Sequence, residues 1–337
     1  MAYTVWGAFD KFRTETVDLD PEVTRAGRSS RDYLVEQIKK VAQDNVAFPR
    51  LGGEYRPYGS FARRTKIQPL NDIDLLLVLN SRGTMEERTG ELNTSRLKIT
   101  DATSPLASFS EIITSYFDNP WYVNSTKVLN AIKVGLAAIP NYSKADIKRT
   151  GVAVTLNLTS RPWVFDIVPA LAVGDSVNYY LIPNGKGQWM RTDPRIDSTN
   201  VTTASTRHAG KFLPTLRLLK YWNGRPTKPR LGSYYFETLA LKAFASGPAI
   251  ASDPTAVKHF FDQGSTYLWL PCPDPKGLGA ALDVSVDSTT KAKVAEAMKE
   301  AATWAGYALM YEGQSDMKSA IYWWGRVFGN AFPAYGG

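Results

Sequence analysis

Two short apolar runs stand out from a chain that otherwise reads as amphipathic helix and polar connection. In the first, Asp72-Ile73-Asp74 leads directly into Leu75-Leu76-Leu77-Val78-Leu79, the pattern of a buried strand. The second, Trp163-Val164-Phe165-Asp166-Ile167-Val168, has the same character with one acid set among apolar residues, and strands are expected across 152–168. Residues 30–44 repeat at helical spacing, with Tyr33, Leu34, Ile38 and Val41 on one stripe and Ser29 or Ser30 as N-cap. Helices are also predicted over 104–117 and 125–138, and later over 205–222, 233–246, 253–263, 289–311 and 314–328. Residues 80–103 are polar and turn-rich, a surface excursion. Residues 181–200 hold Pro183, Asn184-Gly185, Gly187 and Asp193-Pro194, which predict loop rather than core.

The acids at the heads of these runs carry the chemistry. On a strand, positions i and i+2 share a face with Cα atoms ~6.6–6.8 Å apart. Asp72 and Asp74 so placed can bracket a pair of divalent cations ~3.5–4 Å apart, which clamp the attacking and leaving oxygens of an in-line phosphoryl displacement. An Asp-x-Asp pair alone also serves as a turn or helix cap. Asp166 changes the weighting, because a carboxylate among apolar residues is costly to bury unpaired. Beside the first pair it would add a like-charge contact of up to ~4 kcal/mol at 4 Å and an effective dielectric near 20, so the cluster makes sense around cations. Gly59-Ser60, separated from Asp72 by eleven residues, form a turn whose amides can approach phosphates closely, assisted by the Ser60 hydroxyl. These parts together predict nucleotidyl transfer, with Mg²⁺ or Mn²⁺ as two ions and Asp166 taking or relaying the proton of the acceptor hydroxyl.

Charge and composition narrow the alternatives. The chain has 337 residues, with 40 Lys and Arg against 32 Asp and Glu, a net charge of +8. That excess suits either a nucleic-acid surface or a pocket holding two nucleoside triphosphates. The basic residues are scattered pairs such as Lys39-Lys40, Arg63-Arg64 and Lys148-Arg149, so a nucleic-acid activator is unsupported. Cys272 is the single cysteine, which excludes an intrachain disulfide and a cysteine-held metal, and two histidines are too few for a histidine-rich site. No apolar run reaches the ~18 residues of a membrane span and residues 1–30 lack a signal-peptide core, so a soluble cytoplasmic protein is expected.

Gly59-Ser60, Asp72, Asp74 and Asp166 are arranged as in the polymerase-beta-like nucleotidyltransferases. The wording from Tyr58 to Thr65, with Asp72 to Leu75, resembles the branch holding oligoadenylate synthases, cyclic GMP-AMP synthase and the bacterial CD-NTases. Val168-Pro169-Ala170, Tyr180 to Asn184, Trp189 to Pro194, Leu216 to Trp222, Ser233 to Thr238 and Phe328 to Pro333 are similar to CD-NTase segments, so the resemblance spans nearly the whole chain. It implies an α+β fold: a two-lobed polymerase-beta-like nucleotidyltransferase core of mixed sheet with helices, plus a helical C-terminal lobe as in oligoadenylate synthases. The implied division is a catalytic lobe over 1–180 whose N-terminal helix braces both lobes, a crossing over 181–204, and a helical nucleotide-binding lobe over 205–337.

The same resemblance implies synthesis of a cyclic di- or trinucleotide from nucleoside triphosphates, as an alarm activating a separate effector in anti-phage defence. A linear oligonucleotide synthase, an RNA-tailing enzyme and a catalytically silent nucleotide-binding or antitoxin-like module are the alternatives. Among further site residues it adds Lys220 as a triphosphate contact and Ser233 with Tyr234 as the base-stacking corner, where the ring rather than the hydroxyl should matter. Arg63, just after the turn, would serve phosphate or merely the surface. Lys220 could equally be a solvated lysine, and Tyr234 a core residue. The ending Phe332-Pro333-Ala334-Tyr335-Gly336-Gly337 reads as a flexible tail. It resembles the tails whose terminal glycine, here Gly337, is joined to a target by a partner similar to ubiquitin-transfer enzymes; a frayed end without a role is the alternative.

Overall fold

A computed structural model describes residues 1–53, 55–113, 119–174 and 177–336. In chain order the helices are α1 (Val5–Phe12), α2 (Pro21–Asp44), α3 (Gly59–Ala62), α4 (Ser125–Ala137), α5 (Pro194–Arg207), α6 (Phe212–Asn223), α7 (Ser233–Ala243), α8 (Asp253–Tyr267), α9 (Ser288–Gly313) and α10 (Met317–Phe328). The strands are β1 (Arg56–Pro57), β2 (Asp72–Leu79), β3 (Thr84–Arg88), β4 (Ser95–Ile99), β5 (Ser110–Ile112), β6 (Trp121–Val123), β7 (Asp146–Thr150), β8 (Ala153–Asn157), β9 (Val164–Val173), β10 (Tyr179–Pro183) and β11 (Trp189–Thr192). Among the described residues no helix is long and apolar enough to cross a membrane.

The chain forms two compact units, each assembled from non-contiguous segments. One comprises Pro21–Arg63 and Leu70–Pro194, and the other Met1–Asp20, Arg64–Pro69 and Arg195–Gly337. The division is therefore not the sequential one expected from 1–180, 181–204 and 205–337. The first twenty residues belong with the C-terminal helices because Phe9 packs edge-on against Trp324, Phe328 and Phe332, and Phe12 packs edge-on against Phe332 and tilted against Phe328.

The sheet unit is built on one mixed sheet in the order β1-β2-β9-β10-β11-β4-β6-β5, with β3 on β4 and the β7-β8 hairpin on β9. The parallel pair β2 and β9 lies inside it, and Leu75 to Leu79 are all buried, as a strand covered on both faces requires. Helix α2 begins at Pro21, two turns before the predicted cap. Its buried stripe is Leu34, Val35, Ile38 and Ala42, while Tyr33 faces solvent and accepts a hydrogen bond from Asn141 (2.7 Å). Helix α4 is capped by Asn124, whose side chain accepts from Thr126 N.

Three expectations fail here. Residues 80–103 are not an excursion but contain the β3-β4 hairpin, whose Glu86 is held by Arg191 Nε (2.7 Å), Ser95 Oγ (2.5 Å) and Tyr179 Oη (2.6 Å). Burial alone would raise the Glu86 pKa, but these three donors bring it below the usual carboxylate value. Residues 181–200 are not loop: β10 and β11 pair antiparallel, Asn184-Gly185 and Gly187 form the turn between them, and Asp193-Pro194 opens α5. Turn residues there mark a hairpin, with Leu181, Ile182 and Trp189 in the core. The predicted helix over 104–117 is a single 3₁₀ turn, Ala107–Phe109, followed by β5; residues 114–117 lie outside the described residues.

The helical unit has one aromatic-rich core drawn from α1 and α6 to α10. Its helices start where the sequence provides caps: Ser252 and Thr255 form a capping box on α8, Asp287 accepts from Thr290 N on α9, and Asp316 from Ser319 N on α10. The C-terminal tail is anchored rather than loose as far as Gly336. Tyr335 bridges Ala2, Gly336 N donates to Ala2 O (3.0 Å), and the Tyr3 and Tyr335 rings meet at 5.5 Å. Gly337 lies outside the described residues.

Candidate active site

The parallel register of β2 and β9 sets Asp74 opposite Asp166 and Asp72 opposite Val164. Neighbouring strands lie ~4.7–4.9 Å apart, and paired positions present their side chains on the same face. The alternation of burial agrees: Ile73, Leu75, Phe165 and Ile167 are buried, whereas Asp72, Asp74 and Asp166 are half-exposed. Three carboxylates thus gather on one face at the start of two adjacent strands. On the other side of β9, Thr155 of β8 pairs with Asp166 and its hydroxyl donates to Asp166 Oδ1 at 2.6 Å, which fixes the carboxylate's rotamer. Sequence reading missed Thr155; its one signal was a hydroxyl inside the apolar strand Ala153–Asn157.

The glycine turn is brought to the same place. Gly59 opens the single-turn helix α3 with φ +70°, and a Cβ built on it would lie 1.7 Å from Asp74 Oδ2. Glycine is therefore required twice, by the backbone and by the closeness of the carboxylate. Ser60 follows half-exposed, and Arg63 ends the turn as C-cap, its amide donating to Gly59 O (3.3 Å).

The residues expected to serve the nucleotide from the helical unit are more engaged than the sequence suggested. Lys220 is neither solvated nor loosely placed: Nζ lies 2.6 Å from Glu237 Oε1, with the two side chains 9% and 4% exposed. Thr65 Oγ1 donates to the same Glu237 oxygen at 3.1 Å. Tyr234 is half-buried, and its hydroxyl donates to Asp197 Oδ1 (2.7 Å) and lies 3.3 Å from Asp274 Oδ1. Lys276 donates to the same phenol oxygen (2.7 Å), and its Nζ lies 4.0 Å from the ring centroid. Burial and then the Asp197 hydrogen bond push the Tyr234 phenol well above its ordinary pKa, so it stays protonated. Asp274 also accepts from the amides of Lys276, Leu278 and Gly279, tying that loop to the tyrosine. Ser233 is exposed at the start of α7, near Arg230 (3.3 Å).

The donor set suits a hard divalent cation, since Asp72, Asp74 and Asp166 offer only carboxylate oxygens. Among the described residues no three acidic, imidazole or thiol side chains close around one point as a ready metal cage.

No protein-family model matches the chain. A Bacillus cereus (strain VD146) protein named probable cyclic nucleotide synthase is 34% identical over 343 residues, covering 99% of both chains. Among solved structures, E. coli MS115-1 CdnC with ATP superposes with a TM-score of 0.70 at 16% identity, over 99% of this chain and 100% of that one. The Vibrio cholerae DncV cyclic AMP-GMP synthase does so with a TM-score of 0.71 at 10% identity, over 99% of this chain and 98% of that one. The structural likenesses establish the polymerase-beta-like nucleotidyltransferase fold with its helical C-terminal region. With the full-length identity to the Bacillus relative, they give the conclusion that the chain belongs to the CD-NTase family, the bacterial cyclic GMP-AMP synthase/DncV-like nucleotidyltransferases.

Proposed function

We propose that this enzyme joins nucleoside triphosphates into a cyclic di- or trinucleotide in two transfers, releasing pyrophosphate each time. The observation that supports this most strongly is the pairing of Asp74 with Asp166 while Gly59 is held against Asp74, which combines a carboxylate pair and a phosphate-approaching turn. Asp72 and Asp74 would hold the Mg²⁺ or Mn²⁺ of the donor triphosphate, and all three acids a second ion. When bound, such ions lower the pKa of the acceptor hydroxyl and neutralise charge on the leaving phosphates.

The chain's own residues do the rest. Thr155 holds Asp166 in the orientation from which its carboxylate takes the proton of the acceptor hydroxyl. The amides and hydroxyl at Gly59-Ser60 orient the donor phosphates, with Arg63 beside them. The Tyr234 ring, braced by Asp197 and Lys276, takes a base, with Ser233 at the same helix start. Lys220 reaches a triphosphate only by sharing its ammonium with Glu237.

The cyclic product would act in the cytoplasm as an alarm for a separate effector in anti-phage defence. The CdnC neighbour is known in a complex with HORMA-deltaN, and a regulatory protein partner is part of this reading. Gly337 would be the point at which a ubiquitin-transfer-like partner joins the synthase to a target; deleting it should leave synthesis by the purified enzyme unchanged and abolish conjugates in cells. Pyrophosphate release tests the catalytic reading. It should require nucleoside triphosphate together with Mg²⁺ or Mn²⁺, and release that persists in EDTA would contradict it.

A further inference from the structure

The helical unit holds a cationic site that nucleotidyl transfer leaves unused. After α6, the chain folds back over Trp222, and Asn223 fixes that return by donating to Leu231 O (2.9 Å) and accepting from Leu231 N (3.1 Å). Two adjoining cavities of about 390 and 550 Å³ open beside it and share Lys228 and Glu300. Their walls carry five cations, Arg225, Lys228, Lys293, Lys299 and Arg326, against two carboxylates, Glu296 and Glu300.

None of these five cations is in a salt bridge among the described residues, whereas Lys220 and Lys276 of the same unit each pair with a carboxylate. Aromatic faces and carbonyls hold three of them in place instead. Lys228 Nζ lies 4.0 Å over the Trp222 ring and donates to Asn223 O (3.0 Å), and the Arg326 guanidinium lies 4.8 Å over Trp304. Arg225 donates to the carbonyls of Arg326 and Val327. Its guanidinium fits there because Gly329, at φ +86°, has no side chain: a Cβ would come within 3.1 Å of it. Burial, and then the charges of Arg225 and Arg230, push the Lys228 ammonium down to about 8. Cations and carbonyl contacts arranged in this way leave mutual repulsion that a bound polyanion would relieve.

We propose that these cavities bind a condensed phosphate, either free pyrophosphate or the phosphate tail of a nucleotide. Such an anion offers several charges on one compact frame, matching a lysine point charge beside arginine donors. The site uses none of Asp72, Asp74, Asp166, Gly59 or Tyr234, so the proposal stands independently of the catalytic reading.

The test is calorimetric titration of the full chain with pyrophosphate in EDTA, where divalent ions cannot recruit the anion to the carboxylates. Saturable binding is expected, weakened at least tenfold by Lys228→Met and by Arg326→Gln, and unchanged by Asp74→Asn. Arg326 is exposed, so its variant keeps the test valid if Lys228→Met fails to fold. Near pH 8.5 the binding heat should vary with buffer ionisation enthalpy, because the anion draws a proton onto Lys228. Competition by ATP would assign the site to a nucleotide tail, and lack of competition to free pyrophosphate; either result supports it. Absence of saturable binding, or affinity unmoved by both cavity variants, would overturn it.

Discussion

Gly59 leaves the space that the Asp74 carboxylate occupies: a β-carbon there would sit 1.7 Å from Oδ2, at a backbone φ of +70°. The contact couples a turn suited to phosphates to an acid suited to a cation. Gly59→Ala must move Asp74, the turn, or both. It should cost about 1 kcal/mol or more from the left-handed backbone alone. A larger effect is expected on turnover, a loss of at least ~10² for a displaced electrostatic stabiliser. Melting temperature and initial rate measured on the same preparation would separate the two, and near-normal turnover would show that the contact is dispensable.

Lys220 and Glu237 form a buried pair, and removing one partner strands the other. Lys220→Met should destabilise the fold by about 3–5 kcal/mol, read as a shift in denaturation midpoint. The double variant Lys220→Met, Glu237→Leu should recover a large part of that loss, because no uncompensated charge remains. A Lys220→Met protein of normal stability with a raised KM would make the lysine chiefly a triphosphate contact.

Tyr234→Phe should not be silent, although a stacking ring alone would make it so. The substitution removes the acceptor of Lys276 and the donor to Asp197, which keep their mutual contact at 3.4 Å, and each lost hydrogen bond to a charged group is worth about 1–3 kcal/mol. A lower melting temperature with little change in KM is expected. Tyr234→Ala should in addition raise the KM for nucleotide by the ~1–3 kcal/mol of a lost stacking contact. Equal KM changes in the two variants would instead assign base recognition to the hydroxyl.

Lys228 gives the helical unit a pH dependence of definite sign. Its ammonium faces Arg225, Arg230 and the Asn223 carbonyl, with Lys293, Lys299, Glu296 and Glu300 lining the same cavities. Because the folded value is about 8, below the ~10.4 of an unfolded lysine, the folded state bears the full charging cost below pH 8. Between these values the folded chain has released a proton that the unfolded chain still binds, so this contribution to stability rises with pH. The stability of Lys228→Met relative to the parent should therefore be highest below pH 8 and fall towards pH 10.4, in phosphate-free buffer. A difference independent of pH would contradict the assignment.

The catalytic strands were legible because their signal is local. Asp72-Ile73-Asp74 and the following apolar run begin and end where β2 does, and Asp166 falls on the expected face of its neighbour. The β3-β4 hairpin was not legible, since its burial follows no simple alternation and its polar residues are satisfied by Arg191 and Tyr179, about a hundred residues away. In Leu181 to Asn200 the turn residues mark the bend between two strands, and a cluster of them looks the same in sequence whether strands flank it or not. The roles of Lys220 and Tyr234 depend on Glu237, Asp197 and Lys276, partners that only the tertiary fold brings near. Tyr335 and Gly336 look loose in sequence because their partner, Ala2, is at the other end of the chain.

The most direct measurement is mass spectrometry of the product after incubation of the purified chain with all four nucleoside triphosphates and Mg²⁺ or Mn²⁺, followed by phosphatase. A phosphatase-resistant cyclic di- or trinucleotide without terminal phosphates is expected. Its rate of formation should fall by at least ~10²–10³ in Asp74→Asn, with a metal-free melting temperature no lower than the parent's because carboxylate repulsion is relieved. A purely linear product, extension of added RNA, or undiminished synthesis by Asp74→Asn would contradict the assignment.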